Sequence, residues 1–112
     1  SKRFDSVAKT VVERMEADLK EGQGKSVFHS YITATNKYLI PFFGKHNVDS
    51  ITAALLQKFD VWRHKQLGRA PAASTITNHN SALNKIFDFA ELHGWITPAV
   101  RPTLVNKGRR SK

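Results

Sequence analysis

Hydroxyl, amide and ammonium side chains recur at helical spacing in two segments of the sequence, residues 25–37 and residues 75–85, and neither segment contains an acid. Hydroxyls and amides hydrogen-bond phosphate oxygens or base edges, and asparagine can pair with adenine through both ends of its amide. Lysine ammoniums displace counterions from a polyanion. The chemistry that these two segments favour is therefore contact with a DNA duplex.

The positions that share one helical face in each segment form a predicted DNA-binding site. They are Lys25, Ser26, His29, Ser30, Thr33 and Lys37 in the first segment, and Thr75, Thr77, Asn78, Ser81, Asn84 and Lys85 in the second. Arg109 and Arg110, from a basic run near the end of the chain, complete the predicted set. Ser, Thr and Asn compete for backbone hydrogen bonds and are mediocre helix formers, so an ordinary solvent face favours Glu, Lys, Gln and Arg. The alternative is a polar face without a function.

The charge of the chain is strongly positive and unevenly placed. Lys and Arg number 18 against nine acids, which gives a net charge of +9. Residues 1–21 hold five acids and five bases, so the whole excess lies in residues 22–112. Such an excess indicates a polyanionic partner, with nucleic acid first and an acidic membrane surface second. A soluble domain that is merely basic remains the alternative.

Length and composition exclude several classes of protein. A chain of 112 residues with 40% hydrophobic residues predicts one folded domain. The longest apolar run, residues 38–43, is too short for a membrane span or a secretory signal. The chain has no cysteine, which excludes disulfides and permits a reducing cytosol. The five histidines lack metal-ligand spacing, and Tyr31 and Tyr38 fit the helix core, so we expect no metal, no cofactor and no catalytic residue.

Hydrophobic periodicity predicts an all-α domain with four helices and no strand. Ser26, Thr52, and Ser74 or Thr75 are the expected N-caps of the last three helices, and Pro41 is expected to stop the second helix at the residue before it. Trp95 and Ile96 are expected to fold back as an apolar plug. The predicted helices span about residues 4–21, 26–40, 52–67 and 74–94.

Three ordered motifs resemble the core-binding domain of tyrosine recombinases, the phage-integrase family. S-T-I-x4-S-A-L-x2-I-F-x-F-A-x3-G-x-I, residues 74–96, resembles the last helix of that domain. K-S-V-F-H-S-Y, residues 25–31, is similar to the start of its second helix, and F-F-G-K-H-N-V-D-S-I-T, residues 42–52, to the entry to its third. The resemblance covers about residues 4–98.

The resemblance implies a SAM-like fold of four or five helices, packed as orthogonal pairs, whose second and fourth helices lie at the DNA major groove. Lys25, Ser26, His29, Thr75 and Thr77 fall on positions that contact DNA in that family. Two residues depart from the pattern, because the family prefers an aliphatic residue at position 80 and commonly has arginine at position 84. Because position 84 carries an amide, we expect it to read bases rather than to bind phosphate. We expect the amide at position 80 to lie at the edge of the apolar stripe of the fourth helix.

The resemblance also implies how the whole protein is organised. Residues 1–103 would form the DNA-binding domain, and residues 104–112 a basic linker to a catalytic domain that this chain does not contain. The chain is then not an enzyme by itself, although its parent protein would be a tyrosine recombinase active in DNA integration and recombination. The expected partners are double-stranded attachment-site DNA and other recombinase subunits on that DNA, with no membrane, and the isolated domain is expected to be a monomer. The resemblance also implies a bacterial or phage-encoded protein that is cytoplasmic and associated with the nucleoid.

Two other functions remain open at the level of sequence. A free-standing helical DNA-binding regulator would use a helix-turn-helix, although the connection between the third and fourth helices is longer than the usual three or four residues. A helical protein-interaction module would need no DNA contact. Salt dependence of DNA binding distinguishes the two classes, since only the DNA-binding ones have a steep salt slope.

Overall fold

The computed structural model describes residues 2–105, and within this range the chain is helical with no strand, which confirms the all-α fold class. The elements, in chain order, are α1 (Phe4–Lys20), α2 (Phe28–Ala34), a π-helical turn (Thr35–Leu39), α3 (Ile40–Phe43), a 3-10 turn (Val48–Ser50), α4 (Ala53–Leu67) and α5 (Ala73–Leu92).

The core is built on α5, which contacts α1, α2 and the π-helical turn. Its inner stripe has the helical spacing that the sequence predicts and comprises the apolar residues Ile76, Ala82, Leu83, Ile86, Phe87 and Ala90 together with His79, whose burial was not predicted. The inner stripe of α1 packs in the same core and comprises Phe4, Val7, Ala8, Val11, Val12 and Met15. Each large apolar side chain buried in this way contributes about 1.5–3 kcal/mol, so these two stripes provide much of the folding free energy.

The start of α1 is capped by backbone rather than by a side chain. Arg3, at the N-cap, makes no side-chain cap hydrogen bond. The N–H of Phe4 donates to the carbonyl of His46 at 2.7 Å, and the N–H of Asp5 donates to the carbonyl of Gly44 at 3.2 Å. Because the first N–H groups of a helix have no intrahelical acceptor, this turn replaces the missing cap and fixes α1 against the segment after α3.

The prediction that Pro41 ends the second helix is wrong, because helical backbone continues through α3. The reason is the π-helical turn, in which the N–H of Ile40 donates to the carbonyl of Thr35, five residues earlier. This wider turn comes just before Pro41, which then lies in the first turn of α3. In an α-helix a proline has no N–H to donate and its ring clashes with the carbonyl four residues earlier, and the wider turn before Pro41 relieves both constraints.

One of the three predicted N-caps is confirmed. Thr52 accepts a hydrogen bond from the N–H of Leu55 at 3.2 Å and starts α4. The Ser26 prediction is wrong, because Val27 occupies the N-cap of α2 and makes no side-chain cap bond. A turn of i to i+3 backbone bonds leads into α2 instead, with the N–H of Phe28 donating to the carbonyl of Lys25 at 2.9 Å.

The cap predicted for α5 is also wrong. The helix begins at Ala73, one residue before Ser74 and two before Thr75, so both hydroxyl residues lie inside its first turn. Ala72 holds the N-cap position with an extended backbone and no side-chain bond. The first turn of α5 therefore has no side-chain cap for its N–H groups, and it contains no acid.

The segment after α5 packs back on the domain. Gly94 has a φ of +75°, the left-handed backbone that glycine adopts without strain, and the chain reverses there. Ile96 is buried and Trp95 half-buried, which confirms the predicted apolar plug. Asn80 is half-buried, as the edge position predicts, and its Nδ2 donates to the carbonyl of Val105 at 3.1 Å.

The packing after α5 extends into the first two residues of the predicted linker, residues 104–112. Leu104 is half-buried against the core, so the chain still contacts the domain at that residue. Residues 106–112, which include Arg109 and Arg110, lie outside the described residues.

The cap assignments give a stability prediction. We expect Thr52→Ala to lower the free energy of unfolding by about 1 kcal/mol, because it removes the N-cap hydrogen bond of α4. The matched control is Ser26→Ala, which removes an exposed hydroxyl without a cap bond and is expected to cost less than about 0.5 kcal/mol. Urea unfolding followed by circular dichroism measures both. Equal losses from the two variants would contradict the cap assignment.

Candidate nucleic-acid interface

The two acid-free faces predicted separately from sequence lie next to each other in the structure. Asn78 Nδ2, on α5, donates to the carbonyl of Ser30, on α2, at 3.4 Å. About two turns further along α5, the Lys85 ammonium lies 4.7 Å from the ring centroid of Phe28, in cation–π geometry. The two helices therefore present a single surface, formed by the outer side of residues 25–37 and the outer side of residues 75–85, which we call the α2–α5 surface.

The predicted residues differ in how far they reach solvent. Lys25, Ser26, His29, Ser30, Thr33, Lys37, Thr77 and Asn84 are exposed, whereas Thr75, Asn78, Ser81 and Lys85 are half-buried. The half-buried members are all on α5. They therefore form the inner part of the surface, with the exposed members of α2 beside them.

The α5 residues divide between two neighbours. Asn78 and Lys85 contact α2, as described above. Asn84 lies on the other side of the helix, where the segment after α5 crosses it, and its side-chain oxygen accepts a hydrogen bond from Arg101 Nη2 at 3.2 Å. The α5 part of the α2–α5 surface therefore contacts α2 on one side and Arg101 on the other.

Arg101 is a candidate functional residue that the sequence analysis missed, because it was counted only as part of the net charge. Its side chain is 21% exposed and pairs with Asp88 at 2.6 Å and with Glu91 at 3.2 Å. These carboxylates are the acids nearest in sequence to the predicted α5 face. Their ion pairs with one arginine reduce the repulsion that they would exert on a polyanion bound at the α2–α5 surface. The contact joins residues ten or more apart along the chain, so helical periodicity gives no signal for it.

A buried polar cluster lies beneath the surface and was also missed. Arg63 of α4 and His79 of α5 are only 4% and 3% exposed, and Arg63 Nη1 lies 3.0 Å from His79 Nδ1. The Arg63 guanidinium also donates to Asp60 at 2.5 Å and stacks over the ring of Phe59 at 4.7 Å. The ring of Tyr38 lies against that of His79, with the ring centroids 4.9 Å apart and the planes tilted by 33°. His79 falls on the inner stripe of α5, and that spacing is the signal that could have predicted its burial.

Burial and charge both act on His79. Loss of hydration lowers the pKa of this histidine to about 4, and the nearby Arg63 guanidinium acts on the pKa in the same direction. The ring is therefore neutral near pH 7. Since a guanidinium only donates, Nδ1 must be the accepting nitrogen and Nε2 must carry the proton.

A shallow groove between α2 and α5 opens above this cluster. His29, Thr33 and Asn78 line it from the surface, and Tyr38 and His79 line it from within. The buried cluster therefore reaches the α2–α5 surface at the point where the two helices meet.

Comparisons of the chain with known protein families, with the sequences of curated proteins and with solved structures give no match. None of the described helices has both the length and the apolar character needed to cross a membrane. Residues 2–105 contain no group of three or more His, Cys, Asp or Glu side chains arranged to hold a metal ion.

The buried histidine predicts a pH dependence of stability. Because the pKa of His79 is about 4 in the folded domain and about 6.5 when exposed, the unfolded chain binds a proton first as the pH falls. We expect the free energy of unfolding to decrease by about 1.4 kcal/mol per pH unit between about pH 6.5 and pH 4, up to about 3 kcal/mol in total.

Urea unfolding at a series of pH values measures this effect, with His79→Gln as the control because glutamine keeps a hydrogen-bond acceptor for Arg63 and does not titrate. The difference between the two proteins should be constant above about pH 7 and should shrink as the pH falls towards 4. A difference that does not change with pH would contradict the assignment of His79 as a buried neutral ring.

Proposed function

We propose that this domain binds duplex DNA through the α2–α5 surface, as the core-binding domain of a site-specific tyrosine recombinase. The observation that carries the proposal is the side-by-side arrangement of two faces that are rich in hydroxyl, amide and ammonium groups and free of acids. On a single helix, solvent exposure alone would explain such a polar face. Two such faces that pack into one surface, in a domain of net charge +9, favour a polyanionic partner.

The side chains divide by the part of DNA that each suits. Lys25 and Lys37 flank α2 and Lys85 lies on α5, so ammonium groups border the surface on both helices. These charges suit phosphates and provide a salt-dependent part of the affinity. The uncharged Thr77 and Asn84, exposed on the outer side of α5, suit base edges in the major groove.

The recombinase assignment rests on the resemblance of the three ordered motifs. In that family a separate catalytic domain cuts and rejoins the strands through a phosphotyrosine intermediate, and the core-binding domain holds the attachment site. Other recombinase subunits on the same DNA and a nucleoid location belong to the same proposal. The connection between α4 and α5, residues 68–72, is longer than a helix-turn-helix turn and supports this assignment over a free-standing regulator.

Salt dependence is the first test of DNA binding. We expect micromolar binding to a short duplex at about 50 mM salt and a marked loss of affinity at about 200 mM, because counterion release dominates the binding free energy. Fluorescence anisotropy with a labelled duplex gives the slope of log K against log salt. No binding at about 50 mM salt with micromolar protein would contradict the proposal.

Charge reversal locates the bound surface. We expect Lys25→Glu and Lys85→Glu each to weaken duplex binding by about tenfold or more at low salt, because each replaces an attraction to phosphate with a repulsion. The matched controls are Lys9→Glu and Lys20→Glu on the mixed-charge face of α1, which change the net charge equally and should have a smaller effect. If all four variants weaken binding alike, the net charge of the domain acts diffusely and the α2–α5 surface is not the binding site.

A further inference from the structure

The side chain of Asn84 is held in one orientation by Arg101. Arg101 Nη2 lies 3.2 Å from the Asn84 side-chain oxygen and 3.3 Å from the Asn84 backbone carbonyl oxygen. A guanidinium only donates hydrogen bonds, so the amide must turn its oxygen towards Arg101 and its nitrogen away from it. This orientation follows from chemistry alone, since an amide with its nitrogen facing Arg101 would place two donors against each other.

Arg101 is itself fixed from three directions. Nη1 pairs with Asp88 at 2.6 Å and with Glu91 at 3.2 Å, and the guanidinium lies 5.7 Å from the ring centroid of Phe87. Its side chain is 21% exposed, whereas that of Asp88 is 69% exposed. Two carboxylates and an aromatic face thus hold the guanidinium in place, which is what a group that positions another side chain requires.

The orientation of the amide decides which base edge it fits. A free asparagine recognises adenine by donating from Nδ2 to N7 and accepting at Oδ1 from the N6 amino group. In Asn84 the oxygen is turned to Arg101 and already accepts one hydrogen bond, so the Nδ2 group, with two N–H bonds, is the better partner for DNA. Among the major-groove edges, guanine alone offers two adjacent acceptors, N7 and O6.

We propose that Arg101 makes Asn84 a hydrogen-bond donor towards DNA, so that this position selects guanine over adenine in the bound site. Arg101 is then a positioning residue for specificity, and Asn84 is the residue that reads the base. The inference rests on the proposed DNA binding by the α2–α5 surface and adds the chemical class of edge that one position of that surface accepts.

Selection from a pool of randomised duplexes, followed by sequencing, tests the inference whatever the target sequence is. The protein should enrich a motif that contains a guanine whose preference over adenine depends on Asn84. Asn84→Ala should reduce that preference by about fivefold to 100-fold and leave the other positions of the motif unchanged. Asn84→Asp, which only accepts, should move the preference at the same position towards cytosine, whose N4 amino group donates.

Arg101→Met separates positioning from reading. It removes the guanidinium and keeps a long apolar side chain over Phe87, so the Asn84 amide is free to rotate. The preference at the Asn84 position should then shift from guanine towards adenine by about fivefold or more. The double variant Arg101→Met, Asp88→Asn keeps the net charge of the unmodified Arg101, Asp88 and Glu91 group and should show the same shift, and circular dichroism checks that each variant is folded.

The outcomes distinguish the inference from the proposed function. If the unmodified domain enriches no duplex and has no salt-sensitive binding, both are overturned. If it enriches a motif that Asn84→Ala and Arg101→Met leave unchanged at every position, DNA binding stands and the role of Asn84 and Arg101 is overturned. A preference for adenine at the Asn84 position in the unmodified domain would also overturn it.

Discussion

Burial of the inner stripe of α5 is the constraint on which the domain is organised. Ile86, Phe87 and Ala90 have no exposed surface, and α1, α2 and the π-helical turn all pack against this helix. Because α5 has 20 residues and buries one stripe, its opposite side must face away from the core in a fixed direction. The same packing that stabilises the fold therefore fixes the outer face of α5, and it places α2 beside that face. The polar residues of the α2–α5 surface need no adjustment of the backbone to lie together.

The buried cluster of Arg63 and His79 adds hydrogen bonds to this packing, which a purely apolar core would lack. Taking a guanidinium out of water costs several kcal/mol, and the bonds to Asp60 and His79 offset that cost only in part, because Arg63 Nε has no hydrogen-bond partner among the described residues. Such a cluster adds little net stability, but its bonds are directional. It joins α4 to α5, and through the ring of Tyr38, which lies against His79, it also contacts the π-helical turn that follows α2. The directional bonds of this cluster therefore help to fix the relative position of the helices under the α2–α5 surface, in addition to apolar burial.

Features that depend on helical spacing were predictable from the sequence, and those that depend on contacts between distant residues were not. The inner stripes and the Thr52 cap follow from periodicity and local propensity, and the structure confirms them. Pro41 misled the prediction because proline is tolerated where a wider turn precedes it, and no local rule signals that turn. The Arg101 contacts with Asn84 and two acids required the fold of the segment after α5. Of the candidate site, the faces were predictable, whereas their adjacency and the orientation of the Asn84 amide were not.

The DNA contact that we propose lies on the α2–α5 surface. Amide chemical shifts of isotope-labelled protein, followed by two-dimensional NMR during titration with a short duplex at low salt, test it residue by residue. We expect the largest shifts on residues 25–37 and 75–85 and at Arg101, with little change along the exposed side of α1 at Lys9, Glu13 and Glu16. Shifts of equal size over all basic residues, or shifts centred on α1 or α4, would contradict it.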